Sequence, residues 1–551
     1  MNIEKNTNPE TMLIESNQKK ISHLISDIGA VLESIIVWCA IVFFMMVGVV
    51  SLIVTTVMPE YNYKVYFVTS NWWIVLILSI IAIGVIGFLN HIKKINAIKS
   101  SVLLIILIGY TICFGCLWIA FANVWPEWDP LYVLEASKAI STGNNVNLQC
   151  PGDEIAWTLC PGGYLERFPY QIPLVLFDKF LYFIFGSGTY LAFEFINVIS
   201  VALSFYLLGL LAKDFYKEER FINATLLLCF AFLPLIFYVT FAYGNTLSLP
   251  FAILALLLQR MYFTKGNIVY AVASCLSLLV CLLLKSSMIY VLAAMLCIWL
   301  VAALRRKKIR DFICSILVVL VYPCLGWLVG VSAESIGLNP DIGAPKTVWI
   351  AMGLQKSDVA NSNNYGWYNG YPLKDPPEDY DVKKIEMDAK ESISKSISEF
   401  SDDPSYAVTF FSRKFVSEWT DPLYESLLAN NWSDSGNNRP IMAQRQLSPI
   451  QHSTYYGKIN KLLLNICDAL QFLLLIGTAF CFVFNRKSIE IEMLGPAIIP
   501  LGMAVLYLFW EAQSQYIMPA YIMMIPYAGN GITLLGEKIF FLFRHTRMAN
   551  K

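Results

Sequence analysis

A carboxylate able to take a proton, a cation able to meet a phosphate, and amides and phenols able to hold hydroxyl groups all occur in this chain, in short segments far apart in the sequence. The first segment reads Trp125-Pro-Glu127-Trp-Asp129-Pro-Leu-Tyr132. Asp129 is expected to cap a helix over Leu131–Ile140, because Asp accepts from the free N–H groups of a first turn and Pro fits there. Capping leaves room for the same carboxylate to act as a general base. Further on, Cys160-Pro-Gly-Gly-Tyr-Leu-Glu166-Arg167-Phe-Pro-Tyr-Gln171 joins turn residues to a Glu–Arg pair and aromatics. Tyr243-Gly-Asn245-Thr-Leu-Ser248 and Lys285-Ser-Ser287 each interrupt an apolar stretch. Lys285 either snorkels to a membrane interface or holds an anion. Tyr365-Gly-Trp-Tyr-Asn369-Gly-Tyr371 suits stacking on sugar faces, or equally an aromatic patch resting on lipid or a neighbouring loop. The last segment, Trp510-Glu511-Ala-Gln-Ser-Gln515-Tyr516, puts an ionisable group at the end of an apolar run, a placement that points to function.

The elements that position these residues are membrane helices. Of 551 residues, 57% are hydrophobic and 15% charged, with 40 basic and 40 acidic side chains. A soluble domain carries roughly 25% charged residues. The mean hydropathy of +0.57 agrees. The charge balance gives no footprint for nucleic acid, and no cleavable signal peptide is visible. A span needs roughly 20 apolar residues. Runs of this kind lie at Ile35–Val57, Trp72–Leu89, Val102–Ala122, Leu191–Leu211, Asn223–Tyr243 and Leu247–Tyr262. Six more lie at Val269–Leu284, Met288–Leu304, Phe312–Val331, Leu462–Phe484, Leu494–Phe509 and Tyr516–Leu535, which makes twelve. Positive clusters mark the cytoplasmic side. Lys93, Lys94 and Lys99, the RRKKIR stretch at Arg305–Arg310, Arg486 with Lys487, and the C-terminal Lys538, Arg544, Arg547 and Lys551 agree on one side only if a short thirteenth run, Tyr170–Phe185, stays at the outer interface.

The expected fold is therefore an all-α polytopic membrane protein with about 12 transmembrane helices, interfacial helices and two long extracytoplasmic loops. Residues 1–30 form a cytoplasmic tail, and 31–100 hold two helices that precede the core. Residues 101–331 form the core with its first outer loop at 123–190. The large outer loop at 332–461, the last spans at 462–535 and a cytoplasmic tail at 536–551 follow. A solvated helix is expected within Asp375–Ser405. All the polar candidates above then fall on the outer face.

In order and in sidedness these motifs resemble the GT-C superfamily of polyprenyl-phosphate-dependent glycosyltransferases, in the style of protein O-mannosyltransferases and lipid A aminoarabinose transferases. The likeness runs from Val102 to Leu535 and rests on Asp129 with Tyr132, Phe168–Gln171, Tyr243-Gly-Asn245 and Glu511-x-x-x-Gln515-Tyr-x-x-Pro519. It implies an inverting transfer of a sugar from a polyprenyl-phosphate donor to an extracytoplasmic glycan, glycolipid or protein. Asp129 would be the catalytic base, with Arg167 and Lys285 binding the donor phosphate. Glu127, Tyr132, Asn245, Asn369, Glu511 and Gln515 would position substrate. Gln515 stands where relatives often carry Arg, and the two helices before Val102 are additional. No metal motif stands out, although Glu127-x-Asp129 can imitate one. Rival readings are a polymerase or ligase using lipid-linked oligosaccharide, a lipid-linked sugar flippase or transporter, and a non-catalytic scaffold. Of the 13 cysteines, Cys150 and Cys160 share the outer loop, where a disulfide is permitted.

Overall fold

The structure, a computed structural model, describes residues 9–143, 158–359, 362–432 and 439–549. It is built almost wholly of helices. The first three are α1 (Pro9–Ile53), α2 (Trp72–His91) and α3 (Ser100–Ala122). In the long loop after α3, α4 (Asp129–Ser141) and α5 (Ile172–Phe185) follow. The central helices are α6 (Thr189–Phe215), α7 (Glu219–Ala231), α8 (Gly244–Lys265), α9 (Ile268–Leu284), α10 (Ile289–Arg306) and α11 (Ile309–Ser335). The large loop folds into α12 (Thr347–Gly353), α13 (Val382–Asp402), α14 (Pro404–Trp419) and α15 (Pro449–Tyr456), and the chain closes with α16 (Lys458–Asn485), α17 (Gly495–Phe509) and α18 (Ser514–Ala549).

Among the described residues, eight helices are long and apolar enough to cross a membrane. A ninth arises if α7 and the segment Leu233–Thr240, bent by 48°, make one span. Pro234 explains that bend, since its ring cannot continue the preceding turn. α9 and α17 are apolar but shorter. Outward faces carry bare apolar side chains, such as Trp38, Ile80, Ile105 and Trp327. A surface of this kind calls for lipid around it. The chain is a multi-pass membrane protein.

Close helix crossings use small residues, as membrane packing favours. A Cβ on Gly531 would lie 1.8 Å from the Gly477 carbonyl oxygen, so α16 and α18 touch backbone to backbone. At one end of the bundle, charged groups pair: Arg260 with Asp214 and Glu490, Arg305 with Glu33, and Arg306 with Asp311. The other end carries the loops.

One element differs from the sequence expectation, and two others gain definite bounds. The apolar run from Ile35 does not stay helical to Val57. Its last four residues, β-branched Val-Thr-Thr-Val, form strand β1 (Val54–Val57), which pairs antiparallel with β2 (Tyr66–Thr69). Asp468 of α16 holds this ribbon through Thr55 Oγ1 at 2.8 Å and Ser70 Oγ at 2.9 Å. The run 170–185 is α5, and a break at Gly186–Gly188 separates it from α6. Phe177 and Phe193 meet edge to face at 5.8 Å. In a straight continuation those residues would stand about 24 Å apart, so the chain turns sharply. α5 buries Asp178 and exposes Phe180, Phe183 and Ile184. Within the large loop, α13 begins at Val382, where Asp381 accepts from the N–H groups of Lys383 and Lys384.

Candidate active site

Asp129 opens α4 at a backbone irregularity. Trp128 just before it lies at φ 57°, ψ −135°, in the half of backbone space where a side chain costs about 1–3 kcal/mol and which is common at functional sites. No side chain caps the helix start. The expected capping role of Asp129 is thus corrected: its Oδ2 accepts from Tyr243 Oη at 3.3 Å, and Tyr164 bonds the same carboxyl group. Two phenols hold it instead of the helix N–H groups.

Each partner reaches Asp129 for a local reason. Tyr164 sits on a single helical turn, Tyr164–Arg167, buried and packed against Tyr132 at 5.0 Å. Tyr243 precedes α8, whose first residue is Gly244. A Cβ there would lie 1.9 Å from the Leu284 carbonyl oxygen at the end of α9. Only glycine permits that approach, and it brings Lys285 alongside, with Nζ 4.0 Å from the Tyr243 ring centroid. Lys285 therefore lies on a ring inside the protein and does not snorkel outward. Gln171 donates from Nε2 to Tyr243 Oη.

The charges act on one another. Asp129 is accessible, yet protein surrounds it. Burial pushes its carboxyl above the usual range, against the pull of the Tyr164 hydrogen bond, Lys285 and Tyr243. Burial lowers the Lys285 ammonium to about 8, opposed by Asp129 and Glu511. Glu511, 5% exposed, is pushed up to about 8 by burial first and then by Asp129. The fields of Asp129 and Glu511 also reach the phenols of Tyr170 and Tyr368, and Tyr63 feels both of them together with Glu425.

A ladder of amides supports Glu511. Its Oε1 accepts from Gln513 Nε2 at 3.4 Å, and Gln513 Oε1 accepts from Gln515 Nε2. Gln515 Oε1 in turn accepts from Asn245 Nδ2 at 3.1 Å. Among the described residues, the Asn245 Oδ1 has no hydrogen-bond partner. Beneath the ladder lies Glu425, 3% exposed, which accepts from Ser514 Oγ at 3.0 Å and from the Gln515 backbone N–H at 3.2 Å. Tyr424 and Glu425 both sit in the left-handed region, at φ 50° and 60°. Burial, then Asp421, raises the Glu425 carboxyl to about 8.

Of the residues singled out in the sequence, Asp129, Lys285, Glu511, Gln515 and Asn245 come together here. Tyr132 borders the group through Tyr164. Glu127 lines a small neighbouring recess with Trp125, Tyr190, Thr240, Asn430 and Trp432. Arg167 is committed elsewhere: Nε donates to the Gly162 carbonyl at 2.6 Å, Nη1 to Pro372 at 3.1 Å, and its guanidinium covers the Tyr380 ring at 4.2 Å. Glu166 accepts from the Gly162 and Asn339 N–H groups, both at 2.8 Å. The side chain of Asn369 bonds Gln355 and the Tyr371 N–H, while its neighbour Tyr368 feels the site carboxylates. Cys160 is disulfide-bonded; Cys150 lies outside the described residues.

Sequence reading missed Tyr63, Tyr164, Tyr368 and Glu425 as individuals. The only signal was the density of Tyr in the long loops. Lys414 was missed too. It donates to the carbonyls of Gly353 at 2.6 Å, Trp510 at 2.7 Å and Leu508 at 3.1 Å, and so pins the Glu511 turn to α12 and α14. Among the described residues, no group of three or more His, Cys, Asp or Glu side chains is arranged to hold a metal ion. Chemically, the arrangement offers a carboxylate to take a proton, an ammonium to meet a developing anion, and phenols, amides and raised carboxyls to hold hydroxyl groups. No protein-family model matches the chain, and no curated protein matches it.

Proposed function

We propose that this chain is a membrane glycosyltransferase that moves a sugar from a polyprenyl-phosphate donor to an acceptor hydroxyl outside the cytoplasm. The observation that carries the reading is the chain of contacts in which Tyr243 Oη donates to the solvent-accessible Asp129 at 3.3 Å while Lys285 Nζ lies 4.0 Å from the Tyr243 ring centroid, with Glu511 close enough for its charge to act on both. The acceptor oxygen attacks the anomeric carbon and its proton passes to Asp129. The anomeric C–O bond to phosphate breaks, its electron pair leaves with the phosphate, and Lys285 meets that charge. One displacement inverts the anomeric centre. Tyr63, Tyr170, Tyr368 and Glu511 hold sugar hydroxyls.

In this reading the chain crosses a cell membrane twelve times with both termini cytoplasmic. Counting α9, α17, α18 and the bent α7 segment with the eight long apolar helices supplies the twelve. α5 lies along the outer surface, apolar side to lipid. This reading takes Lys285 as the cation and sets Arg167 aside as a phosphate ligand, since its Nε and Nη1 serve the carbonyls of Gly162 and Pro372.

The test uses purified full-length protein in lipid nanodiscs, given a radiolabelled polyprenyl-phosphate sugar and membrane extract. Label should move to a new product, and Asp129→Asn should abolish the movement while expression and insertion persist. Normal turnover by that variant removes Asp129 from the role. Label crossing a vesicle bilayer unchanged indicates a flippase.

A further inference from the structure

Asp129 is held by groups whose own hydrogen bonds leave them little freedom. Tyr243 Oη has one proton and stands 3.3 Å from Asp129 Oδ2. It also contacts the side-chain amide of Gln171, whose Nε2 donates to it. A carboxylate accepts more strongly than an amide oxygen, so the phenol proton goes to Asp129 and the Gln171 N–H fills the phenol oxygen. Gln171 is 6% and Tyr243 6% exposed, so water does not compete freely for either bond. The Lys285 ammonium over the Tyr243 ring makes that phenol a better donor. Tyr164 supplies the second phenol.

We propose that Gln171 and Tyr243 form a positioning relay that aims one phenol proton at Asp129 Oδ2 and so fixes the orientation in which the carboxylate meets the acceptor's proton. The relay deepens the glycosyltransferase reading, and its aim on Asp129 can be tested without it. Gln171 and Tyr243 are positioning residues. Other titratable groups facing Asp129 are Lys285, Glu511, Tyr63, Tyr170 and Tyr368. Of these Lys285 favours the charged carboxylate and Glu511, when ionised, opposes it.

The experiment reads Asp129 directly. Full-length protein in nanodiscs is treated with a water-soluble carbodiimide and glycinamide across a pH series, and coupling at Asp129 is followed by peptide mass spectrometry. Only the protonated carboxyl couples, so the midpoint reports its titration. Tyr243→Phe keeps the ring under Lys285 and removes one hydrogen bond to the carboxylate. The midpoint should rise by roughly 0.5 to 1 pH unit, the size expected for one such bond. Gln171→Leu should move it in the same direction by less, and Gln171→Asn should restore part of the shift. Tyr164→Phe is the comparator, losing the other phenol. A wild-type midpoint in Tyr243→Phe, while Tyr164→Phe moves, overturns the relay. An unmoved Gln171→Leu removes Gln171 from it. If the midpoints shift as expected but no polyprenyl-phosphate sugar is ever consumed, the relay stands and the glycosyltransferase reading falls.

Discussion

Lys285 presses its ammonium against the Tyr243 ring within the fields of Asp129 and Glu511. Burial has brought its titration down to about 8, so its charge is lost on mild alkalinisation. If this charge meets the donor phosphate, affinity for a polyprenyl phosphate falls as pH rises past that point. Lys285→Met should weaken binding by about tenfold or more, the range for loss of one charge-assisted bond. It should also flatten the alkaline fall, as titration calorimetry in detergent would show. The same alkaline fall in the Met variant would assign it to another group. Residue type alone singled out Lys285 and Asp129 as candidates, because charge beside a membrane span is costly and conspicuous. It could not separate Lys285 from Arg167. Both are cations between apolar runs, and what distinguishes them is the pair of backbone carbonyls that Arg167 serves.

At the scale of elements, the site depends on tight turns. Gly244→Ala would drive a methyl group into the Leu284 carbonyl and part α8 from α9. An overpacked contact of this kind costs about 1–3 kcal/mol. A lower melting temperature together with lost sugar transfer is expected, and unchanged transfer would show that Tyr243 and Lys285 need not touch. The turn that carries Glu425 makes a different prediction. Its carboxyl titrates near 8 when folded and near the ordinary 4.5 when unfolded. Between those values the folded protein holds the extra proton, so Glu425 contributes stability that is complete below about 4.5 and disappears as pH rises through about 8. Glu511 acts in the same direction over that window. Melting points in detergent should fall from pH 5 to pH 8, and Glu425→Gln should reduce the slope; an unaltered slope would mean that Glu425 is ionised throughout. These turns were hard to read in the sequence. Apolar runs reveal helices because lipid demands them, whereas Tyr424 and Glu425 in left-handed conformations carry no residue signature, and β1 continued an apolar run with only Thr55 and Thr56 to mark the change.

For the whole molecule, the sequence pattern and the structure agree that long apolar helices form the body. They also agree that the candidate site residues gather at one end and paired basic residues at the other. The number of crossings needs a separate measurement. In intact cells a membrane-impermeant maleimide should label a cysteine placed at exposed Glu399 in α13, and should reach one at exposed Lys308 only after permeabilisation. Labelling of both from outside would overturn the twelve-crossing arrangement. The two helices before α3, which looked supernumerary in the sequence, hold the ribbon whose loop places Tyr63 at the site.

The bond between Ser514 and Glu425, and the pairing of Trp367 with Ala512, bear on the protein's synthesis. The recess needs Tyr63 from the first hairpin and Gln515 from the last. Everything from the first hairpin to the start of α18 has therefore been synthesised before the carboxylates and their partners meet. A chain cut before α18 lacks Gln515 and the ladder it joins, so the group assembles only once α18 is in place.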